Sequence, residues 1–312
     1  MKHHITKKFI LFIHALVLTA SLAFSQKAEL SKEDARFFWK ITGTDKNGLP
    51  SYVFLQGTIH VGTEDLYPLD SKVMEAFTNA DRLAAEIGSE DLKKLGLECL
   101  KILLKSHTKN KNCKDFLTQE QLEVLNKILG EKAVNAYSRY EPWFMQMNLE
   151  NGILLNIIGR KEEYGIDLYL ENLAIESGRK VIGLDTLETG LNLLHYGDYE
   201  FQKNYLIMQI DSLAGENEEI WVEEFCKMEK MYMEDDTEGM AQLLDSSRKE
   251  ECSIFPQSAE YNEFVMEKRN ENWAAQIKTF LEEGGNTFIF VGAAHLIGEN
   301  SVFEYLKKYG VL

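Results

Sequence analysis

Runs of apolar residues that stop at a glycine or a turn recur along this chain, and they predict buried β-strands. A strand over 52–56, a helix over 71–79 and a strand over 82–87 have the spacing of a βαβ unit, which predicts parallel pairing. The other predicted strands cover 37–42, which a turn at 45–48 joins to the next strand, 180–184, and the run that ends at Gly292.

Most of the remaining chain has apolar residues at the spacing of amphipathic helices. The predicted helices cover about 90–105, 118–138, 142–158, 166–176, 187–196, 199–213, 217–232, 236–247, 258–282 and 299–309. Together these elements predict an α/β fold with a mostly parallel central sheet and a large helical insertion, in one domain over 26–312.

Two of the predicted strands end in one pattern, Gly-x-x-His with another glycine close behind. The first is GTIHVG at 57–62, which contains His60, and the second is GAAHLIG at 292–298, which contains His295. Each motif places an imidazole just past the end of a core strand, where ligands bind in open α/β sheets. Paired histidines at that edge predict a metal site or an acid–base site, although a single such histidine is more often structural.

Two carboxylates occupy the same kind of position. Glu86 follows the apolar residues 83–85, and Asp185 follows the strand over 180–184. If these strands are neighbours, both carboxylates join the two histidines in one crevice, because a carboxylate is rarely buried without a partner. Such a set could bind a divalent cation or supply a general acid and base. The structural alternatives are a salt-bridged Glu86 and an ordinary helix N-cap at Asp185.

Arg269 lies in a segment whose composition favours a solvated amphipathic helix. The functional alternative places its guanidinium near the crevice, where it would bind a carboxylate or stabilise an oxyanion.

Residues 1–25 have the pattern of a secretory signal peptide, with lysines at 2, 7 and 8, an apolar stretch over 9–24 and a small-x-small cleavage site. The protein is therefore expected to be exported, periplasmic or extracellular, without stable membrane insertion after cleavage. An uncleaved N-terminal anchor is the alternative. The net charge of −16 argues against nucleic acid and anionic lipid as partners.

All four cysteines follow the signal segment, and an even count in an exported chain favours two disulfides. Sequence order favours Cys99–Cys113 and Cys226–Cys252 among the three possible connectivities. None of the cysteines has the Cys-x-x-Cys spacing of a zinc or redox site, so a structural role is expected.

The motifs resemble those of the TraB/GumN family, which includes PrgY and the TIKI proteases. The similar blocks extend over about 50–310: the opening block from 57 through 69 to Glu86, Pro142-Trp143, Gly165-Ile166-Asp167, the Arg-Asn-x-x-Trp helix at 269–273, and the closing block at 291–298. In the block over 183–190, Asp185 replaces a glutamate of the family pattern and Gly190 replaces a glutamine.

The resemblance implies a core like that of the TIKI and erythromycin-esterase proteins, and metal-dependent hydrolysis with Mn or Co, or else Zn. It implies that His60 and His295 are metal ligands or catalytic histidines, that Glu86 is a ligand or base, and that Arg269 is a site arginine. Asp185 is a further candidate ligand, with a side chain one methylene shorter than the family's glutamate.

The leading interpretation is an exported metal-dependent hydrolase, such as a peptidase, acting on a peptide or small molecule. The metal would activate a water, Glu86 would take its proton, and Arg269 would stabilise the oxyanion. One alternative is a metal-free hydrolase that uses a histidine and Glu86. The other is a non-catalytic protein that binds a peptide or small ligand.

Overall fold

The computed structural model describes residues 27–214 and 217–312. The predicted signal peptide over 1–25 therefore lies outside the described residues. Within the described ranges, none of the helices combines the length and the apolar character needed to cross a membrane.

The described part of the chain contains a six-stranded, mostly parallel sheet. Its strands are β1 (Glu29–Lys32), β2 (Phe38–Thr44), β3 (Pro50–Thr58), β4 (Arg82–Ala85), β5 (Val181–Gly183) and β6 (Gly285–Gly292). Their order across the sheet is β1-β2-β3-β6-β4-β5. The pairs β1–β2 and β2–β3 are antiparallel, whereas β3–β6, β6–β4 and β4–β5 are parallel. The carboxyl ends of four strands therefore meet at one edge of the sheet, which positions the candidate site.

The helices lie mostly between β4 and β6, as predicted. They are α1 (Ser71–Asn79), α2 (Ser89–Ser106), α3 (Gln119–Leu129), α4 (Glu131–Tyr137), α5 (Pro142–Gly152), α6 (Ile166–Glu176), α7 (Leu187–Leu194), α8 (Tyr199–Ser212), α9 (Asn217–Met233), α10 (Thr237–Ile254), α11 (Ser258–Asn262), α12 (Lys268–Glu283) and α13 (Val302–Lys308). The α/β class with a large helical insertion is therefore confirmed.

Three helices that the periodicity predicts as continuous are interrupted. Gly130, with φ of +84°, ends α3 and begins α4, which divides the helix predicted over 118–138. The other two contain five-residue π-helical segments, Ile153–Ile157 and Glu263–Glu267. Hydrophobic periodicity does not reveal such interruptions, because the apolar positions continue through them.

The spacing of the predicted βαβ unit does not predict where β6 lies in the sheet. The predicted unit of β3, α1 and β4 does form, but β6 inserts between its two strands. Along the β3–β6 pair, Gly57 is opposite Val291 and Thr58 is opposite Gly292. The last strand of the chain therefore lies beside the strand that carries the first histidine motif.

Two apolar clusters stabilise the described chain. The larger packs both faces of the sheet and includes Phe288, Ile289 and Trp273. The smaller lies within the helical insertion, around Leu125, Met145 and Leu206. The insertion thus has apolar packing of its own in addition to the sheet core.

The predicted disulfides are wrong for this structure, in which all four cysteines are free thiols. Cys226 and Cys252 lie on α9 and α10, which are joined by a short turn around Asp235. Cys226 is nine residues before Asp235 and Cys252 is seventeen after it. This mismatch separates them by about 12 Å along the hairpin, too far for a disulfide. The Cys113 thiol instead donates to the Tyr140 carbonyl oxygen, at 3.4 Å.

Candidate functional site

Both histidine motifs lie at the carboxyl edge of the sheet, on the adjacent strands β3 and β6. Gly292 lies between the two imidazoles. A Cβ atom placed on Gly292 would be 3.5 Å from His295 Cδ2, 4.0 Å from His60 Nε2 and 3.3 Å from Glu86 Oε1. These three side chains therefore border one space, which we call the Gly292 space.

Gly57 allows the two motifs to pack this closely. A Cβ atom on Gly57 would be 3.1 Å from the Ala293 Cα atom and 3.1 Å from the Phe37 Cβ atom. Because these are backbone or near-backbone atoms, a side chain at position 57 would push β3 and the closing motif apart. Close packing between β3 and the closing motif therefore explains why the first residue of the opening motif is glycine.

His60 is held by three consecutive residues at the start of α6. Gly165 packs against the His60 carbonyl oxygen so closely that a Cβ atom at position 165 would clash with it. The Ile166 N–H donates to the Ile59 carbonyl oxygen at 3.0 Å. The Asp167 carboxylate lies 3.1 Å from His60 Nδ1. This Gly-x-Asp segment fixes the loop and the ring of His60 together.

The electrostatics of His60 follow from Asp167. The hydrogen bond to Asp167 raises the pKa of His60 to about 9, the charges of Asp167 and Glu86 act in the same direction, and burial and Arg269 oppose them. The His60 side chain is 67% exposed, so solvent screens these charges. With Nδ1 on Asp167, the Nε2 atom is the one that faces the Gly292 space.

The two carboxylates lie on neighbouring strands, as the crevice prediction requires. β4 pairs with β5, and the Asp185 N–H donates to the Glu86 carbonyl oxygen at 2.9 Å. Glu86 Oε1 accepts from the Gly292 N–H at 2.9 Å, and Glu86 Oε2 accepts from Arg269. The Asp185 side chain is only 4% exposed and accepts from Arg269 Nε at 2.8 Å and from Trp273 Nε1 at 2.9 Å.

Glu86 stays ionised although it is largely out of water. Burial alone would raise its pKa, but His295, Arg269, His60 and the Gly292 N–H together lower the pKa of Glu86 to about 2. Both histidines are already protonated at the pH where Glu86 would take a proton, which explains why both oppose its protonation. For Asp185, burial outweighs its ion pair and raises the pKa.

Arg269 is buried between the carboxylates, not solvated as its local composition favours. Besides Glu86 and Asp185, its Nη1 donates to the Val265 carbonyl oxygen at 3.1 Å and lies 3.3 Å from His295 Nε2. Four of the five N–H donors of a guanidinium are thus engaged with protein groups. Arg269 therefore holds both carboxylates in place, and little of it is left to bind an oxyanion.

His295 is buried, and its pKa is shifted in the opposite direction from that of His60. Burial lowers the pKa of His295 to about 4; Arg269 and His60 lower it further, and Glu86 opposes them. Its Nδ1 lies 2.6 Å from Asn270 Oδ1, and its ring packs on Trp273 with centroids 4.4 Å apart. At neutral pH this ring is uncharged and hydrogen-bonded through both nitrogens.

As arranged, these side chains do not fit a metal ion. Each oxygen of Glu86 and Asp185 accepts a hydrogen bond from protein, and both nitrogens of His295 are engaged. The Arg269 guanidinium already supplies the positive charge that a cation would bring to the carboxylates. In the described ranges, no group of three or more histidine, cysteine and acidic side chains has the geometry of a metal site.

The structure thus brings together all five residues that the sequence singled out, His60, Glu86, Asp185, Arg269 and His295. It adds three residues to which the sequence analysis assigned no role: Asp167, Asn270 and Trp273. Asp167 and the Asn270–Trp273 pair lie in blocks that resemble family motifs, and that resemblance was the available signal. Their contacts with His60, His295 and Asp185 could not be derived from local spacing, because each one joins segments distant in sequence.

The fold and site define a class of α/β protein in which histidines and carboxylates lie together at the carboxyl edge of a mostly parallel sheet. The chain belongs to the TraB/PrgY/gumN family, whose sequence pattern matches residues 37–312. It is 27% identical over 314 residues to an uncharacterized protein of Treponema pallidum (strain Nichols), covering 97% of this chain and 90% of that protein. It is 24% identical over 259 residues to the uncharacterized protein YbaP of Escherichia coli (strain K12), covering 81% of this chain and 87% of YbaP. No solved structure matches.

Proposed function

We propose that this protein is a hydrolase in which His60, oriented by Asp167, exchanges protons with water and with the leaving group of the substrate. One observation carries the proposal: His60 Nδ1 lies 3.1 Å from Asp167, while Nε2 faces the Gly292 space bordered by Glu86. A histidine with one nitrogen on a carboxylate and the other facing an open space has the arrangement of a general acid–base group.

In the proposed reaction, a water in the Gly292 space attacks the carbonyl carbon of an ester or amide. His60 is neutral above its pKa of about 9, and in that form its Nε2 takes a proton from the water as one O–H bond breaks and the new C–O bond forms. His60 then returns the proton to the leaving oxygen or nitrogen as the old bond breaks. The ionised Glu86 orients the water through its O–H dipole, since Glu86 Oε1 borders the same space.

The remaining site residues position Glu86. Arg269 donates to both Glu86 and Asp185, while His295 and Trp273 pack around this ion pair. Because a buried carboxylate without such partners would be protonated, this network supports the charged form of Glu86 that the proposal needs.

The substrate class and the location are expectations from the sequence, and both are part of the proposal. We propose a peptide or small molecule with a scissile carbonyl bond, met after export to the periplasm or the outside of the cell. The parallel strands with a histidine beyond two of their ends support a core of the TIKI and erythromycin-esterase kind.

The test is a hydrolysis screen of the purified protein against ester and peptide panels, with and without EDTA. His60→Gln and Asp167→Asn are compared with wild type, and His107→Gln is the matched control, since His107 is an exposed histidine at the far end of α2. We expect turnover that survives EDTA, is lost in His60→Gln and is retained in His107→Gln.

Other outcomes distinguish the alternatives. Turnover that requires added Mn²⁺, Co²⁺ or Zn²⁺ would replace the proposal with the metal-dependent reaction implied by the family resemblance. Tight binding of a peptide or small molecule without turnover under any condition would identify a binding protein. Turnover that is equal in wild type and His60→Gln would remove His60 from the mechanism.

A further inference from the structure

Two carboxyl groups, each with a buried oxygen, lie one helical turn apart behind His60. Asp167 and Glu171 are at positions i and i+4 of α6, so they lie on the same face of that helix. Glu171 is only 9% exposed. Neither the proposed reaction nor the Arg269 network involves Glu171.

Each of these groups has one oxygen without a hydrogen-bond partner. Asp167 Oδ1 and Glu171 Oε1 are both closed to solvent and unpaired. The opposite oxygen of Asp167 lies on His60, and Glu171 is hydrogen-bonded to the hydroxyl of Ser89. A buried oxygen that has lost its water contacts without gaining a protein partner is destabilising.

One proton shared between the two carboxyl groups would give both unpaired oxygens a hydrogen-bond partner. An ionised carboxylate can only accept hydrogen bonds, so two ionised groups here would leave both oxygens unpaired and place two like charges side by side. A protonated carboxyl can donate to its neighbour. A proton on one of the two carboxyls would supply the missing donor within the protein.

Glu171 is the group better placed to keep that proton. Asp167 Oδ2 lies 3.1 Å from His60 Nδ1, a contact in which the carboxylate oxygen is the acceptor. Burial raises the pKa of Glu171, and the charge of Asp167 raises it further, while the Ser89 hydroxyl opposes them. The Ser89 oxygen in turn accepts from the Val181 N–H at 2.9 Å, which anchors Glu171 to the start of α2 and β5.

We propose that Glu171 is a positioning residue that stays protonated and donates a hydrogen bond to Asp167 Oδ1, which keeps Asp167 Oδ2 directed at His60 Nδ1. This carboxyl pair extends the His60–Asp167 arrangement by one group. Its effect on catalysis rests on the proposed function, whereas its existence does not.

The experiment needs no substrate. Carboxyl ¹³C NMR of the whole protein reports the ionisation of Glu171, and histidine ¹⁵N titration reports the pKa of His60 in wild type, Glu171→Gln and Glu171→Leu. Glu176→Gln is the matched control, because Glu176 is an exposed acid on the same helix. A crystal structure of wild type gives the distance between Asp167 Oδ1 and Glu171 Oε1.

We expect the Glu171 carboxyl to be protonated at pH 7 and its Oε1 to lie within hydrogen-bond distance of Asp167 Oδ1. The pKa of His60 should be the same in wild type and Glu171→Gln, because the amide is also neutral and keeps an N–H donor. In Glu171→Leu, which lacks the donor, the Asp167 side chain should turn away from His60.

Three results would overturn the proposal: an ionised Glu171 at pH 7, a His60 pKa that falls in Glu171→Gln but not in Glu176→Gln, or an Asp167 orientation unchanged in Glu171→Leu. If a substrate is found, we expect its turnover to be retained in Glu171→Gln and reduced at least tenfold in Glu171→Leu. If none is found, the proposed function fails, while the NMR and crystallographic results still decide the role of Glu171.

Discussion

Asn270 Oδ1 lies 2.6 Å from His295 Nδ1, and this contact determines which nitrogen of His295 carries the proton. The Asn270 amide nitrogen donates to the Asn300 carbonyl oxygen at 2.7 Å, so the oxygen of the amide must be the atom that faces the ring. Nδ1 is therefore the donor, and Nε2 is left to accept from Arg269. One asparagine thus makes His295 a neutral acceptor for the central guanidinium.

We expect ¹⁵N NMR to show His295 as the Nδ1–H tautomer at all pH values from 5 to 9. Its pKa is lowered from 6.5 to about 4 by burial, so the folded protein resists protonating it. The unfolded chain binds this proton at about pH 6.5, and the His295 contribution to stability is therefore lost progressively as pH falls from about 6.5 to about 4. Titration of His295 near pH 6.5 in the folded state would contradict this description.

Replacing Asp167 with asparagine should lower the pKa of His60 from about 9 towards 6.5, because the hydrogen bond to Asp167 is the largest cause of the raised value. If His60 is the general base, the rising limb of the pH–rate profile should move to lower pH by the same amount. Glu162→Gln is the control, since Glu162 is an exposed acid in the preceding loop. An equal shift in both variants would mean that overall charge, and not the specific contact, sets the pKa of His60.

The same pair predicts how stability depends on pH. A group whose pKa is raised on folding stabilises the folded state fully below its unfolded pKa, and this contribution is lost as pH rises through its folded pKa. The stability difference between wild type and Asp167→Asn should therefore be largest near pH 6 and should shrink towards pH 9. Urea unfolding at a series of pH values measures it, and a difference that grows with pH would have the wrong sign.

The sequence predicted which side chains meet at this edge of the sheet, but not how they contact one another. Strand ends with glycines placed His60 and His295 at one edge, because each motif lies within a few residues of its own strand. The paired contacts of Arg269 could not be predicted in this way. Whether a guanidinium or a metal ion balances Glu86 and Asp185 depends on how α12 packs across the ends of β4 and β5, which local pattern does not encode.

The fold shows the same division between local and long-range information. The helix over 166–176 was predicted at its observed bounds, Ile166–Glu176, because Gly165 and Gly178 flank a short run rich in apolar residues. The insertion of β6 between β3 and β4 was not predicted, since strand order depends on contacts between residues more than two hundred positions apart. The disulfide prediction was wrong for a related reason: cysteine count and order contain no distances.

Arg269→Met should destabilise the protein by about 3–5 kcal/mol, the usual cost of leaving buried charges without their partner. The loss should be smaller at pH 5 than at pH 7, because without Arg269 the carboxyls of Glu86 and Asp185 can protonate and lose their charge. Urea unfolding at both pH values measures this. In the double variant Arg269→Met/Asp185→Asn, the combined loss should be less than the sum of the single losses. Additive losses would mean that the two side chains are not coupled.

The two motif glycines that border the site should respond differently to alanine. In Gly57→Ala the new methyl would lie 3.1 Å from the Ala293 Cα atom, and because the backbone there cannot yield cheaply, we expect a loss of about 1–3 kcal/mol in unfolding free energy. In Gly292→Ala the nearest atom is Glu86 Oε1 at 3.3 Å, at the end of a side chain that is 22% exposed and can shift. We expect a stability change below about 1 kcal/mol there.

For activity we expect the opposite order, with Gly292→Ala impaired more than Gly57→Ala. The Gly292→Ala methyl would occupy the space between Glu86 Oε1 and His60 Nε2 in which the proposed water must lie, so turnover should fall at least tenfold although the protein stays folded. Gly57→Ala should keep turnover per folded molecule, because its methyl points towards Phe37 and Ala293, away from that space. Turnover on the substrate found by screening, normalised to the folded fraction, measures both. A fully active Gly292→Ala variant would show that the reacting water binds elsewhere.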